Sequence, residues 1–200
     1  MAERRLDAGR PILDALARRW SPRAWADRDV EPDKIAVCLE AARWAASSRN
    51  QQPWHFIGAT RGETQSHARL AACLNDHNAA WAGRAPVLMV SVAQVATTAD
   101  GRANRYAFHD TGLATGALMA QATALGLHVH AMGGFSRTKA RELLAIPDGY
   151  DPVAALAIGY LGDPDSLPED LRTAETAPRE RRPLGEWVFA GAWGRSWFAG

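Results

Sequence analysis

The run Ala85-Pro86-Val87-Leu88-Met89-Val90-Ser91-Val92-Ala93 constrains the fold more than any other part of the chain. Its near-continuous apolar character predicts a strand over 85–93, and the missing polar alternation means that neither face of that strand meets water. A strand covered on both faces belongs to a sheet with helices on both sides, so the rest of the chain must supply two helical layers.

The flanking patterns supply them. Pro11 with Ile12, Leu13, Leu16 and Trp20 predicts a short amphipathic helix that stops at Ser21-Pro22. Glu31-Pro32-Asp33 opens a second helix, with Ile35, Val37, Leu39, Ala42 and Trp44 as its apolar positions. A strand over 54–60 and a helix over 62–78 follow, the latter carrying Leu70, Ala71, Cys73 and Leu74. Residues 94–103 are polar and read as an exposed connection. A long helix is predicted over 104–125, with Phe108, Gly112, Thr115, Met119, Ala122 and Leu125 on one stripe and Gly126 just past its end. Gly112 and Gly116 read either as close-packing positions or as tolerated glycines.

After that come a strand over 127–132 ending in Gly133-Gly134, a helix over 136–144 with Ser136 as its cap, and a strand over 152–160. Charged, proline-containing sequence runs to Pro183. The tail Leu184–Phe198 carries Trp187, Phe189, Trp193, Trp197 and Phe198, and so must cover its own core or a partner subunit. The expectation is one α+β domain over 1–200, three-layer α/β/α, with a central mixed sheet of four or five strands flanked by helices. Residues 1–10 are expected to be flexible, and 163–200 form a C-terminal extension.

Composition narrows the function by exclusion. A formal net charge of +1 gives no global electrostatic case for nucleic acid or an anionic membrane. No apolar run reaches the roughly 18 residues of a membrane span. Two cysteines, Cys38 and Cys73, lack a CxxC partner, which argues against a disulfide framework or thiolate metal site and fits a reducing cytoplasm. His128 and His130 form an HxH on a predicted strand, facing the same side. No third ligand accompanies them, so they read as structural rather than metal-bound. His109-Asp110 reads as two separate side chains, because helix neighbours point about 100° apart. No side-chain nucleophile motif occurs, and no catalytic residue is assigned.

Recognition chemistry is more visible. The basic clusters Arg18-Arg19-x-Ser21-x-Arg23 and Arg179-x-Arg181-Arg182 could be solvated faces, or could grip a phosphate through charged planar donors. Ser47, Ser48 and Asn50 lie in the polar loop between Trp44 and Trp54, where Pro53 forbids further helix. They could serve as turn formers or as hydrogen-bond partners of a flat heterocycle. Gly133-Gly134 could be a plain turn or a place where backbone N–H groups approach a ligand.

Taken together, these stretches resemble the FMN-dependent nitroreductase superfamily over roughly residues 10 to 190. Arg19-Trp20-Ser21-Pro22-Arg23-Ala24-Trp25 is similar to that family's N-terminal Arg-x-Ser-x-Arg-x-aromatic element. Ala45-Ala46-Ser47-Ser48-Arg49-Asn50-Gln51-Gln52-Pro53-Trp54 is similar to its Ala-Pro-Ser-Ser-x-Asn-x-Gln-Pro-Trp signature. Met132-Gly133-Gly134-Phe135, Gly159-Tyr160 and Arg179-x-Arg181-x-Pro183-Leu184 resemble its later landmarks, in the same order.

The resemblance implies a homodimer with two FMN sites at its interface. Arg19, Arg179 and Arg181 would hold the phosphate, and Ser21 and Arg23 the ribityl chain and pyrimidine edge. Ser47, Ser48 and Asn50 would come from the other subunit. Asn78 would read the pyrimidine, and Gly133 or Gly134 would present an N–H towards flavin N5. It also implies hydride transfer from NADH or NADPH through FMN to a nitroaromatic, quinone or similar small acceptor in ping-pong order. Three positions depart from the family pattern: Ala46 for a proline, Trp81 where some members carry lysine, and Gly133 for an acidic residue. The rival readings are a flavin-dependent dehydrogenase, dehalogenase or flavin-modifying enzyme on the same fold, and a non-enzymatic flavin- or phosphate-binding protein.

Overall fold

A computed structural model of the chain describes residues 9–96 and 101–198. Residues 1–8 of the stretch expected to be flexible, 1–10, and 97–100 of the predicted 94–103 connection lie outside these described residues.

Helices and strands follow in the order α1 (Asp14–Arg18), α2 (Pro32–Arg43), β1 (Trp54–Thr60), α3 (Thr64–Ala72), α4 (Asp76–Ala82), β2 (Val87–Gln94), α5 (Ala107–Ala124), β3 (His128–Met132), α6 (Arg137–Leu143), β4 (Tyr150–Gly159) and α7 (Glu169–Thr176). The sheet has four strands in the order β1-β2-β4-β3. The central pair, β2 and β4, is covered on both faces. Val87 and Met89 point into a core with α2 and α5, while Leu88, Val90 and Val92 point into a second core with α3, Trp81 and α7. Leu156 and Ile158 of β4 join the first core and Ala155 and Ala157 the second, the period of two expected of a strand. This is the three-layer α/β/α arrangement.

The sheet itself corrects one expectation. All three strand pairings are antiparallel, not mixed. The unbroken apolar run of β2 reports burial on both faces, which helices on either side impose whatever the strand direction. Pro152 sits in β4 where the β2 register slips between Ser91 and Val92, so the missing N–H falls at an irregularity of the ladder.

Two helices also differ from expectation. The helix expected over 62–78 is two helices, α3 and α4. Leu74 bridges to Phe135, Asn75 N–H donates to Gly134 O, and Asn75 Oδ1 then caps α4 by accepting from Asn78 N–H at 2.9 Å. On α5 the core face is Ala107, Thr111, Ala114, Leu118 and Ala122, whereas Phe108 and Gly112, expected on the buried stripe, are exposed. The helix is apolar around most of its circumference, so periodicity alone could not select the face. Beyond their own helix, neither Gly112 nor Gly116 has an atom within 4 Å of where a Cβ would stand, so no other described element packs closely against either.

Within the C-terminal extension, Leu167 and Leu171 are buried in the second core. The tail does not cover its own core: Trp187 is 53% exposed, Trp193 91% and Trp197 66%. Its backbone doubles back on itself through Ala190 N–H to Arg195 O and Trp197 N–H to Val188 O.

Replacing Asn75 with alanine removes the α4 cap and should cost about 1 kcal/mol, read as a lower urea midpoint with an unchanged m-value.

Candidate functional site

Two groups of the predicted residues emerge, on opposite edges of the sheet. The first lies along β3. Residues 19–24 alternate, with Trp20, Pro22 and Ala24 buried and Arg19, Ser21 and Arg23 half-buried, so the three predicted side chains project to one side of the segment. The segment is fixed at several points. His130 on β3 donates from Nδ1 to Pro22 O at 2.9 Å, Ala26 N–H donates to Tyr160 O, and Gly162 N–H to Ala24 O. The strongest anchor is one that sequence reasoning missed. Glu175, 2% exposed on α7, accepts hydrogen bonds from the backbone N–H groups of Arg23 and Ala24 at 2.9–3.1 Å. The Arg23 guanidinium also lies 3.9 Å from it.

The C-terminal basic element reaches the same place. Arg179 donates to Ala17 O at 3.0 Å and Arg19 O at 2.6 Å, so its guanidinium holds the end of α1. Arg181 lies near enough to Arg19 that its positive charge, added to burial, lowers the Arg19 pKa. Neither Arg19 nor Arg181 has an ion pair among the described residues; Arg19 touches Ser21 Oγ at 3.5 Å and Arg181 donates to Glu180 O. Two like charges this near, with no carboxylate between them, favour an anion beside them.

His128 and His130 both face this strip. Trp20 meets the His128 ring edge-on at 6.2 Å, and Trp81 packs on His130 with 4.5 Å between centroids. Burial, with Arg18, Arg19 and Arg179 adding to it, pushes the His128 pKa down to about 4. Burial also pushes His130 down to about 4, helped by Arg23 and Arg19 and opposed by its bond to Pro22 O. Both rings are therefore neutral near pH 7, and the shielded His128 Nδ1 has no hydrogen-bond partner. Among the described residues no three metal-ligating side chains cluster.

At the end of β3, Asn78 donates from Nδ2 to Gly134 O at 3.0 Å. A Cβ on Gly134 would stand 2.5 Å from Asn78 Nδ2 and 2.7 Å from Asn75 Nδ2, so this position must be glycine for the amides to pack there. Gly133 is exposed, with open space where its Cβ would be.

The second group precedes β1. Arg49, Asn50 and Gln52 have φ of 53°, 55° and 47°, a left-handed conformation costly for residues other than glycine. The loop is held by Ser47 Oγ, which accepts from Gln52 N–H at 3.1 Å, and by Ser48 N–H donating to Asp110 Oδ2 at 2.9 Å. Ser47 and Ser48 are half-buried and Asn50 is exposed. Asp110 is 2% exposed on α5 and its other oxygen accepts from His109 Nδ1 at 2.9 Å. The two side chains expected to be separate are thus joined, because the imidazole is long enough to reach around the helix.

Because β1 and β3 are the two sheet edges, the groups are separated by three interstrand steps, roughly 14 Å. Within one chain the structure brings Arg19, Ser21, Arg23, Asn78, Gly133, Gly134, Arg179 and Arg181 to the β3 side, and leaves Ser47, Ser48 and Asn50 at the other edge.

The α/β/α fold is shared by a solved oxidoreductase and by a solved nitroreductase family protein. The nitroreductase family profile matches residues 16–160, and the chain belongs to that family. It is similar over 98% of its length, and 99% of the other's, to a solved oxidoreductase containing FMN, at 33% identity and a TM-score of 0.90. A nitroreductase family protein of Clostridium difficile superposes with a TM-score of 0.67 at 28% identity, over 87% of this chain and 94% of that one. A candidate NADH dehydrogenase/NAD(P)H nitroreductase of Archaeoglobus fulgidus is 27% identical over 76% of this chain and 86% of its own. An uncharacterized 15.4 kDa protein of Mycolicibacterium smegmatis is 38% identical over 48% of this chain, a match that spans 64% of that protein.

The lowered histidine pKa values set a pH dependence. The unfolded chain binds protons at His128 and His130 near the ordinary value of 6.5, and the folded chain only near 4. Between these the unfolded state holds more protons, so stability is full above pH 6.5 and is lost as pH falls towards 4. Denaturant midpoints measured across that window should fall with pH, and the double variant His128→Asn, His130→Asn should flatten the slope.

Proposed function

We propose that the protein is an FMN-dependent oxidoreductase that uses NADH or NADPH to reduce a small electron-poor acceptor such as a nitroaromatic or quinone. The observation that carries the reading is the Arg19–Arg181 pair, two guanidiniums near enough to act on each other and without an ion pair among the described residues, on the same side as the unpartnered His128 Nδ1. That donor set fits a phosphate monoester. Ser21 and Arg23, on the same side of the segment, would take the ribityl chain and pyrimidine edge, and Asn78 would meet the pyrimidine from the N-terminal turn of α4. The open Gly133 leaves space for a flat ring over the end of β3, with a backbone N–H of Gly133 or Gly134 directed at N5. Arg179 supports this arrangement from behind, by fixing the carbonyls of Ala17 and Arg19.

When bound, FMN supplies reversible acceptance and release of hydride, which no side chain here can provide. Arg23 would supply positive charge to the reduced ring, which carries negative charge. Neutral His130 holds the segment carrying Arg23 through Pro22 O. No residue is required as a nucleophile.

The reading includes a homodimer. Ser47, Ser48 and Asn50 lie at the far sheet edge, in a loop whose backbone strain is maintained by Asp110, and strain of this kind collects at binding sites. A second copy would bring that loop over the ring. Exposed Leu13, Phe108, Leu113, Trp187, Trp193 and Trp197 provide apolar surface for such a contact. NAD(P)H as donor rests on the name of the Archaeoglobus relative.

Purified protein incubated with FMN and dialysed should retain flavin absorbance, and sediment as a dimer. Arg19→Ala and Arg181→Ala should each weaken retention by about 1.5–3 kcal/mol. Full occupancy in both variants would remove the phosphate assignment, and a protein that never acquires flavin absorbance would remove the whole reading.

A further inference from the structure

Arg19 and Arg181 have no ion pair among the described residues, but Arg23 has one. Its guanidinium lies 3.9 Å from the Glu175 carboxylate and 5.9 Å from the centroid of the Trp81 ring. We propose that Glu175 is a positioning residue with an electrostatic role: acting through Arg23, it holds down the preference of the bound flavin for its reduced state. This inference rests on the flavin reading above, in which Arg23 meets the ring.

One carboxylate does two things here. It accepts from the backbone N–H groups of Arg23 and Ala24 at 2.9–3.1 Å, which fixes where that backbone stands. Any well-placed acceptor would serve for that. A carboxylate adds a full negative charge, and at 2% exposure this one is little screened by water. The Arg23 side chain is itself only 25% exposed, so the two charges act on each other largely within the protein. The Trp81 face attracts the guanidinium without bringing net charge of its own. His130, which packs on Trp81 with 4.5 Å between centroids, is neutral near pH 7. Glu175 is therefore the group that sets the balance at Arg23.

That balance reaches a redox group beside Arg23. The reduced ring carries negative charge and the oxidised ring does not, so a cation next to it favours reduction. An unopposed Arg23 would exert this bias in full. With Glu175 behind it, the ring meets a cation and an anion together, and the bias is smaller. The bound group then remains a stronger electron donor than Arg23 alone would leave it, which suits a protein that passes electrons on to an acceptor.

The test is to measure dissociation constants for oxidised FMN and for dithionite-reduced FMN, since their ratio fixes the shift in potential on binding. Glu175→Gln keeps the size of the side chain and one acceptor, and removes the charge. It should tighten reduced FMN relative to oxidised by roughly tenfold, equivalent to a rise in potential of about 30 mV. A purely structural role predicts the opposite sign, because loosening residues 23 and 24 would withdraw Arg23 and weaken the reduced form. Arg23→Gln should shift the ratio towards oxidised FMN. The double variant Arg23→Gln, Glu175→Gln removes both charges and should bring the ratio back towards wild type. It also keeps the test available if Glu175→Gln alone, with Arg23 left unpaired, does not fold. A ratio that is unchanged or moves towards oxidised FMN in Glu175→Gln would overturn the inference, as would a double variant no different from Arg23→Gln. If the wild-type protein binds both forms, such results overturn this inference alone. A wild-type protein that binds neither form would overturn the flavin reading, and this inference with it.

Discussion

The arginine strip exists because a buried carboxylate on α7 ties down the backbone of residues 23 and 24. Glu175 accepts from both N–H groups, and hydrogen bonds from a buried carboxylate to the main chain are among the stronger ones available to a protein. The bond crosses about three-quarters of the sequence. It brings the C-terminal extension against the N-terminal segment, and that approach sets Arg179 on the carbonyls of 17 and 19 and Arg181 beside Arg19. Without it the two basic elements, remote in sequence, would have no reason to share a face.

The rest of the site is arranged by the same economy of buried polar groups. Asp110 does for the Ser47–Gln52 loop what Glu175 does for the arginine strip, accepting Ser48 N–H from within the protein. Asn75 and Asn78 close the other end by meeting the Gly134 turn. In each case a charged or amide side chain is placed behind the binding surface and acts on backbone. Arg19, Ser21 and Arg23 are left half-buried and Arg181 exposed, where they would meet the proposed ligand.

Much of this was legible in the sequence, for reasons specific to each element. The buried run of β2 required helices on both faces, and they are there. The clustering of Arg19, Ser21 and Arg23 where the first helix was expected to stop was visible, and their alternation with buried Trp20, Pro22 and Ala24 became clear only in the fold. HxH on a strand put both imidazoles on one face, as found. What could not be read depended on distant partners. Glu175 sits in an ordinary polar helix, and nothing local distinguishes it from Glu169 or Asp170. Asp110 in the first turn of a helix has a sufficient local reason in the helix dipole, which concealed its bond to Ser48. The break between α3 and α4 needed the Phe135–Leu74 bridge, formed by residues 61 positions apart. The strand directions needed the ladder itself, since double-sided burial reads alike in parallel and antiparallel sheets.

The central claim is that Arg19 and Arg181 clasp the phosphate of FMN. The most direct measurement is the ³¹P resonance of bound FMN as a function of pH. A free phosphate monoester loses its second proton with a pKa of about 6. Between two guanidiniums the dianion is favoured, so the bound resonance should stay constant well below that pH in the wild-type protein. It should titrate at a higher pH in Arg19→Ala. A bound resonance that titrates like free FMN in the wild-type protein would contradict the account.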